Sequence, residues 1–100
     1  MNYNELINHE FSFVFFSLKE CKSCDSNKLF FEKLAKKYTN SIFTQIDLAK
    51  YENAKGYFSV FTVPTLIVYS HGKEIIREAR FFNYVEIESR LTKNYKMIFE

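Results

Sequence analysis

Cys21 and Cys24 stand two residues apart where an apolar run ends and an amphipathic repeat begins, and that junction restricts the fold more than any other feature of the chain. Upstream, Phe11 to Ser17 is rich in Phe and Val and suits a strand buried on both faces. Downstream, Phe30, Leu34 and Tyr38 recur at intervals of four with Phe31 and Ala35 beside them, which marks an amphipathic helix from about Cys24 to Tyr38. The cysteines therefore occupy a strand-to-helix connection.

The remaining elements follow from the same patterns. Asn2 to Asn8 suits a short helix, and Thr39, Asn40 and Ser41 break the long one. Ile42 to Leu48 has strand composition, Lys50 to Tyr57 a short helix closed near Gly56, and Leu66 to Tyr69 a second buried strand. Ser70, His71 and Gly72 make a tight turn, so Glu74 to Ala79 pairs back as an antiparallel strand. Tyr84, Ile87, Leu91 and Tyr95 give a final helix with one apolar stripe. The order αβαβαββα implies an α/β fold: a central mixed four-stranded sheet, with a short extra N-terminal strand as its variant, flanked by helices on both faces. With 100 residues, glycine only at 56 and 72, proline only at 64 and no repeat, residues 1–100 read as a single domain. Twelve Phe and seven Tyr predict a Phe-rich core.

Charge and composition exclude several function classes. The net charge of +2 is spread along the chain, and Lys33, Lys36 and Lys37 read as a solvated helix face, so nucleic acid is not an expected partner. Met1 to Glu10 carries no Lys or Arg, and the apolar run from Phe11 to Leu18 is far below the roughly 20 residues of a membrane span. A cytoplasmic monomer without membrane contact is the expectation. In that reducing setting a close cysteine pair does chemistry or binds metal more often than it staples a fold.

At a helix start the first backbone N–H groups lack intrahelical partners, so a sulfur at the cap, expected to be Cys21, has its thiolate stabilised there. Lys22 adds a favourable charge, which Glu20 and Asp25 oppose. Two intervening residues, Lys22 and Ser23, let Cys24 close a disulfide within one turn, which suits a reversible two-electron couple. A zinc site would need His9 or His71 beside the cysteines, and His71 lies in the expected turn, so no resident metal or other cofactor is called for. Asp47, ending a strand, reads as a cap for the following helix. Tyr57, Phe58 and Phe61 leave two readings open: with Val63 they line an apolar rim for a protein partner, or they pack inward.

The chain also carries Thr62-Val63-Pro64-Thr65 directly before a buried strand. With Cys21-Lys22-Ser23-Cys24 and the Tyr69-to-Glu74 hairpin, this resembles the thioredoxin family from about residue 11 to residue 95. The resemblance implies a cis peptide before Pro64, facing Cys21, with the Val63 backbone free to pair with an extended substrate. It implies that Cys21 attacks protein disulfides and Cys24 resolves the mixed disulfide. It further implies recycling by a flavin-dependent thioredoxin reductase, a small thiol being the alternative. The rival from another class is a thioredoxin-fold binding module whose cysteines are vestigial or bridge metal across a dimer.

Departures from the family pattern sharpen the expectations. Glu20-Cys21-Lys22-Ser23-Cys24 replaces the usual Trp-Cys-Gly-Pro-Cys, and no Trp occurs. Lys22 and Ser23 in place of the stiff Gly-Pro pair predict a more oxidising couple, on a scale where roughly 30 mV corresponds to about 1.4 kcal/mol. Phe15 stands where the family buries an Asp, and Phe43 replaces its companion Lys, so the usual proton relay is absent.

Overall fold

The computed structural model describes residues 1–99. Its elements are α1 (Tyr3–Ile7), β1 (Phe11–Ser17), α2 (Cys24–Ala35), β2 (Ser41–Asp47), α3 (Asn53–Phe58), β3 (Thr65–Ser70), β4 (Lys73–Ala79) and α4 (Tyr84–Phe99). The four strands form one sheet in the order β2-β1-β3-β4, with β1 and β2 parallel and the other two pairings antiparallel. The mixed sheet of the sequence reading is thus present. The variant with an extra N-terminal strand is not: residues 3–7 are helical, with Asn2 Oδ1 accepting from Glu5 N as an N-cap at 3.2 Å.

Period-2 alternation along β1 divides the core. Phe11, Phe13 and Phe15 join Phe31, Leu34, Ile87 and Leu91 beneath α2 and α4. Val14 and Phe16 point the other way, to Ile46, Ala54, Phe58 and Tyr3 beneath α1 and α3. Every residue of β1 and β3 is buried, as expected for the two central strands of a sheet covered on both faces. A bulge opposite Val68 and Tyr69 inserts one residue into β4, so Ile75 and Ile76 both pack toward the α2–α4 layer. His71 (φ 50°) and Gly72 (φ 82°) form the two-residue turn of that hairpin, the backbone in which glycine is favoured.

The ends of two helices moved: α2 stops at Ala35, short of the expected Tyr38, and α3 shifts at both ends. The helix expected to close near Gly56 runs through it to Phe58 and ends at Ser59, which is left-handed at φ 55°. Val60 is buried and its N–H donates to the Lys55 carbonyl at 3.0 Å, so burial of the residue after the cap sets the end. Asp47 caps the turn after β2, accepting from Ala49 N at 2.9 Å, and does not cap α3, whose N-cap is Glu52.

The carbonyls left over at the end of α3 are satisfied from β4. Arg77 donates to the Phe58 carbonyl at 2.8 Å and the Ser59 carbonyl at 3.2 Å while pairing with Glu74, and that carboxylate raises its already high pKa. Nearby Tyr69 is pushed up to about 12, chiefly by burial and then by the Glu74 charge. Its folded pKa lies above the unfolded value, so unfolding releases a proton between pH 10 and 12. This contribution to stability is complete below pH 10 and falls as pH rises through the folded value. Denaturant midpoints measured from pH 9 to pH 12 should fall more steeply in the native protein than in Tyr69→Phe; parallel curves would disprove the assignment.

Candidate functional site

Cys21 and Cys24 are joined as a disulfide, with an S–S distance of 2.03 Å and Cα atoms 5.4 Å apart. Cys24 is 3% exposed and belongs to the α2–α4 cluster, whereas Cys21 is half-buried at its margin. The expected cap assignment needs correction. The first carbonyl to accept a full helical bond is that of Ser23, from Asn27 N at 3.2 Å, so Ser23 is the N-cap and Cys21 precedes it by two residues. Cys21 instead sits in a turn, its N–H donating to the Leu18 carbonyl at 3.0 Å and its carbonyl accepting from Cys24 N at 3.4 Å. Lys22 and Ser23 are exposed, and Ser23 Oγ lies 3.9 Å from the Cys21 sulfur.

A polar brace behind this turn was not read from the sequence. Asn27, 5% exposed, donates from Nδ2 to the Ser23 carbonyl at 2.9 Å and accepts from the Tyr84 hydroxyl on α4. A polar residue on the inner face of an apolar stripe was its signal. The brace ties the cysteine turn to the opposite end of the chain.

The Val63–Pro64 peptide is cis. Pro64 is buried, and half-buried Val63 packs against both core clusters, the one containing Cys24 included. The loop is fixed on two sides: Thr65 Oγ1 donates to the Thr62 carbonyl at 2.8 Å, and Arg80 N donates to the Pro64 carbonyl at 2.7 Å. Of the aromatic group whose role was open, Phe58 is 2% exposed and packs on Phe16 and Tyr3. Phe61 is 76% exposed, and Phe81, beside Arg80, is 90% exposed. Phe81 went unremarked in the sequence; of the adjacent pair, Phe82 is the one that packs, 5.0 Å from Phe31.

Phe15, fully buried, stacks against Phe43 on β2 with ring centroids 6.4 Å apart, so an aromatic pair fills the place of the absent relay. The thioredoxin family model matches residues 1–93. The chain belongs to the thioredoxin family. A thioredoxin-like protein of Bacillus subtilis strain 168, YdfQ, is 31% identical over 94 residues, covering 94% of this chain and 84% of that protein. Thioredoxin 1 of Thermosipho africanus superimposes with a TM-score of 0.79 at 24% identity, covering 88% of this chain and 98% of its own. Fasciola hepatica thioredoxin does so with a TM-score of 0.73 at 26% identity, covering 91% and 86%. A thioredoxin fold with this vicinal cysteine pair makes the protein a thiol–disulfide oxidoreductase.

Beside the disulfide this thioredoxin-family chain has a cavity of about 610 Å³. Both cysteines line it, together with Ser17 at the end of β1 and Gln45 on β2, whose Nε2 donates to Ser17 Oγ at 2.9 Å. Asp25 and Asp47 also line it, so these two carboxylates, read from the sequence as a solvated charge and a cap, share a space with Cys24. Among the described residues, no three His, Cys, Asp or Glu side chains converge as a metal site. None of their helices is long and apolar enough to cross a membrane. His71 is exposed in its turn, its N–H donating to the His9 carbonyl at 2.7 Å.

Proposed function

We propose that the protein is a single-domain cytoplasmic carrier that reduces protein disulfides, with Cys21 as nucleophile and Cys24 as resolving thiol. The observation that carries this reading is the unequal burial of the pair: Cys24 is enclosed while Cys21 is reachable from solvent. Lys22 and Ser23 flank the nucleophile and modulate it. Val63 and Pro64 provide the backbone against which an extended substrate segment aligns, and exposed Phe61 and Phe81 supply apolar contact at the margins of that loop.

In the reaction the Cys21 thiolate attacks one substrate sulfur and the other leaves as a thiolate. Cys24 then loses its proton and displaces the mixed disulfide, closing the Cys21–Cys24 bond and releasing the second substrate thiol. With Phe15 unable to accept that proton, it leaves through the polar cavity that Cys24 shares with Asp25 and Asp47. A flavin-dependent thioredoxin reductase or a small thiol returns the pair to the dithiol.

Two measurements test this together. The reduced protein should reduce insulin disulfides, and limiting iodoacetamide should modify Cys21 before Cys24 by peptide mapping. Faster modification of Cys24 would reverse the assigned roles, and an inert dithiol would refute the activity. Equilibration with a thiol redox buffer reads the potential, expected to be more oxidising than in proteins with the Gly-Pro pair.

A further inference from the structure

The disulfide has a second approach, away from the loop proposed above to align protein substrates. The cavity beside it, about 610 Å³, falls within the roughly 300–1,000 Å³ typical of small-molecule sites. It lies outside the carboxyl ends of the parallel strands β1 and β2, with Ser17 and Asp47 as their last residues. Sheet order β2-β1-β3-β4 puts the Pro64 loop, which leads into β3, on the other side of β1, and none of the lining residues belongs to that loop. A molecule in the cavity therefore approaches the cysteine pair from the side away from the Pro64 loop.

The cavity carries both signs of charge. Lys19 and Lys50 bring ammonium groups, Asp25 and Asp47 carboxylates, and none of the four forms an ion pair among the described residues. Lys50 Nζ stands over the Tyr51 ring at 5.4 Å from its centroid, and Asp47 keeps one carboxylate oxygen beyond the one bound to Ala49 N. Ser17 Oγ, accepting from Gln45, retains its own proton to donate. Unpaired cations and anions around a reactive sulfur match a ligand that carries both an anion and a cation near its own sulfur.

The geometry points to a second substrate class at this cavity: low-molecular-weight disulfides and thiols of the amino-acid or short-peptide type, bearing both an ammonium and a carboxylate. This rests on the thiol–disulfide activity above. For a symmetrical disulfide, Cys21 thiolate attacks one sulfur and expels one small thiolate, leaving the other half bonded to Cys21. Cys24 then attacks the Cys21 sulfur, so the protein dithiol is oxidised to the disulfide and two small thiols leave with its two protons. In reverse, two such thiols reduce the protein.

The test follows oxidation of the reduced protein by cystine (both charges), cystamine (cationic), dithiodiglycolate (anionic) and hydroxyethyl disulfide (neutral). Each rate is divided by the rate of the same disulfide with dithiothreitol, which removes differences in leaving-group reactivity. Corrected cystine rates should exceed the other three by at least about fivefold, the scale of one or two exposed charge contacts. Lys50→Ala and Asp25→Ala, both at exposed positions, should each lower the cystine-to-hydroxyethyl-disulfide ratio about threefold. Equal corrected rates, or a cationic or anionic disulfide that matches cystine, overturn the proposal while leaving the dithiol activity standing. If hydroxyethyl disulfide and insulin both fail to oxidise the dithiol, the activity reading fails with it.

Discussion

Phe15→Asp should destabilise the protein by at least about 4 kcal/mol at neutral pH and, in the fraction that stays folded, accelerate the second step of disulfide exchange. Phe15 is fully buried between Phe31, with ring centroids 5.9 Å apart, and Phe43 at 6.4 Å. Removing a buried Phe ring alone costs about 3–5 kcal/mol, and a carboxylate set in that apolar layer adds desolvation. Stabilities of whole domains run to about 5–15 kcal/mol, so the variant is expected to be marginal yet measurable. The introduced carboxyl prefers to stay protonated there, so its folded pKa exceeds the unfolded one. The loss is then smallest below the unfolded value and grows as pH rises toward the folded one. Phe15→Asn, with the same side-chain size and no ionisation, should show a pH-independent loss and no faster second step. Denaturant titration at pH 4 and pH 7 reads the first difference, and stopped-flow fluorescence or quenched mass analysis the second. Equal second-step rates in the native protein and in Phe15→Asp would mean that the cavity already carries the proton as fast as a buried carboxylate does.

The contrast between Phe15 and the cavity shows which parts of this molecule were legible in the sequence. Strands and helices were, because β1 and β3 are continuous apolar runs and α2 and α4 carry single apolar stripes, and such periodicities survive without knowledge of neighbours. Phe15 could be read as a missing acid only through the resemblance, because thioredoxins bury an Asp at that distance before the first cysteine of the pair. The cap was misplaced because the cysteine spacing does not reveal that residues 18–24 form two successive turns before the helix proper; the hydrogen bonds to Leu18, Cys21 and Ser23 carbonyls decide it. The end of α3 depended on burial of Val60, a tertiary fact. The cavity was invisible for the same reason: Ser17, Gln45, Asp47 and Lys50 come from two strand ends and a connection, and only the register Ser17↔Asp47 brings them beside the sulfurs. The Asn27–Tyr84 brace joins residues 57 apart in sequence, beyond any local pattern.

Replacing either cysteine should abolish turnover, but in different ways, and the difference locates the nucleophile. Cys21→Ser removes the thiolate that opens the substrate disulfide, and a serine hydroxyl is too weakly acidic to replace it at neutral pH, so insulin reduction should fall more than about a thousandfold. Cys24→Ser leaves the first step intact. Its Cys21 is half-buried and reachable, so it should capture substrate disulfides and stop there, because the residue that would release them cannot attack. Mass analysis of Cys24→Ser mixed with an excess of a small disulfide should show one adduct per chain on Cys21, and Cys21→Ser should show little. Neither change should threaten the fold: Cys21 lies at the margin of the core, and serine at position 24 costs about 1–3 kcal/mol for burying a hydroxyl in the α2–α4 layer. That estimate matters for reading the result, since circular dichroism must show both variants folded before a loss of turnover is assigned to chemistry. Adducts on Cys24 in Cys21→Ser as abundant as those on Cys21 in Cys24→Ser would mean that burial of the second sulfur does not protect it, and the unequal exposure on which the assignment rests would no longer order the two steps.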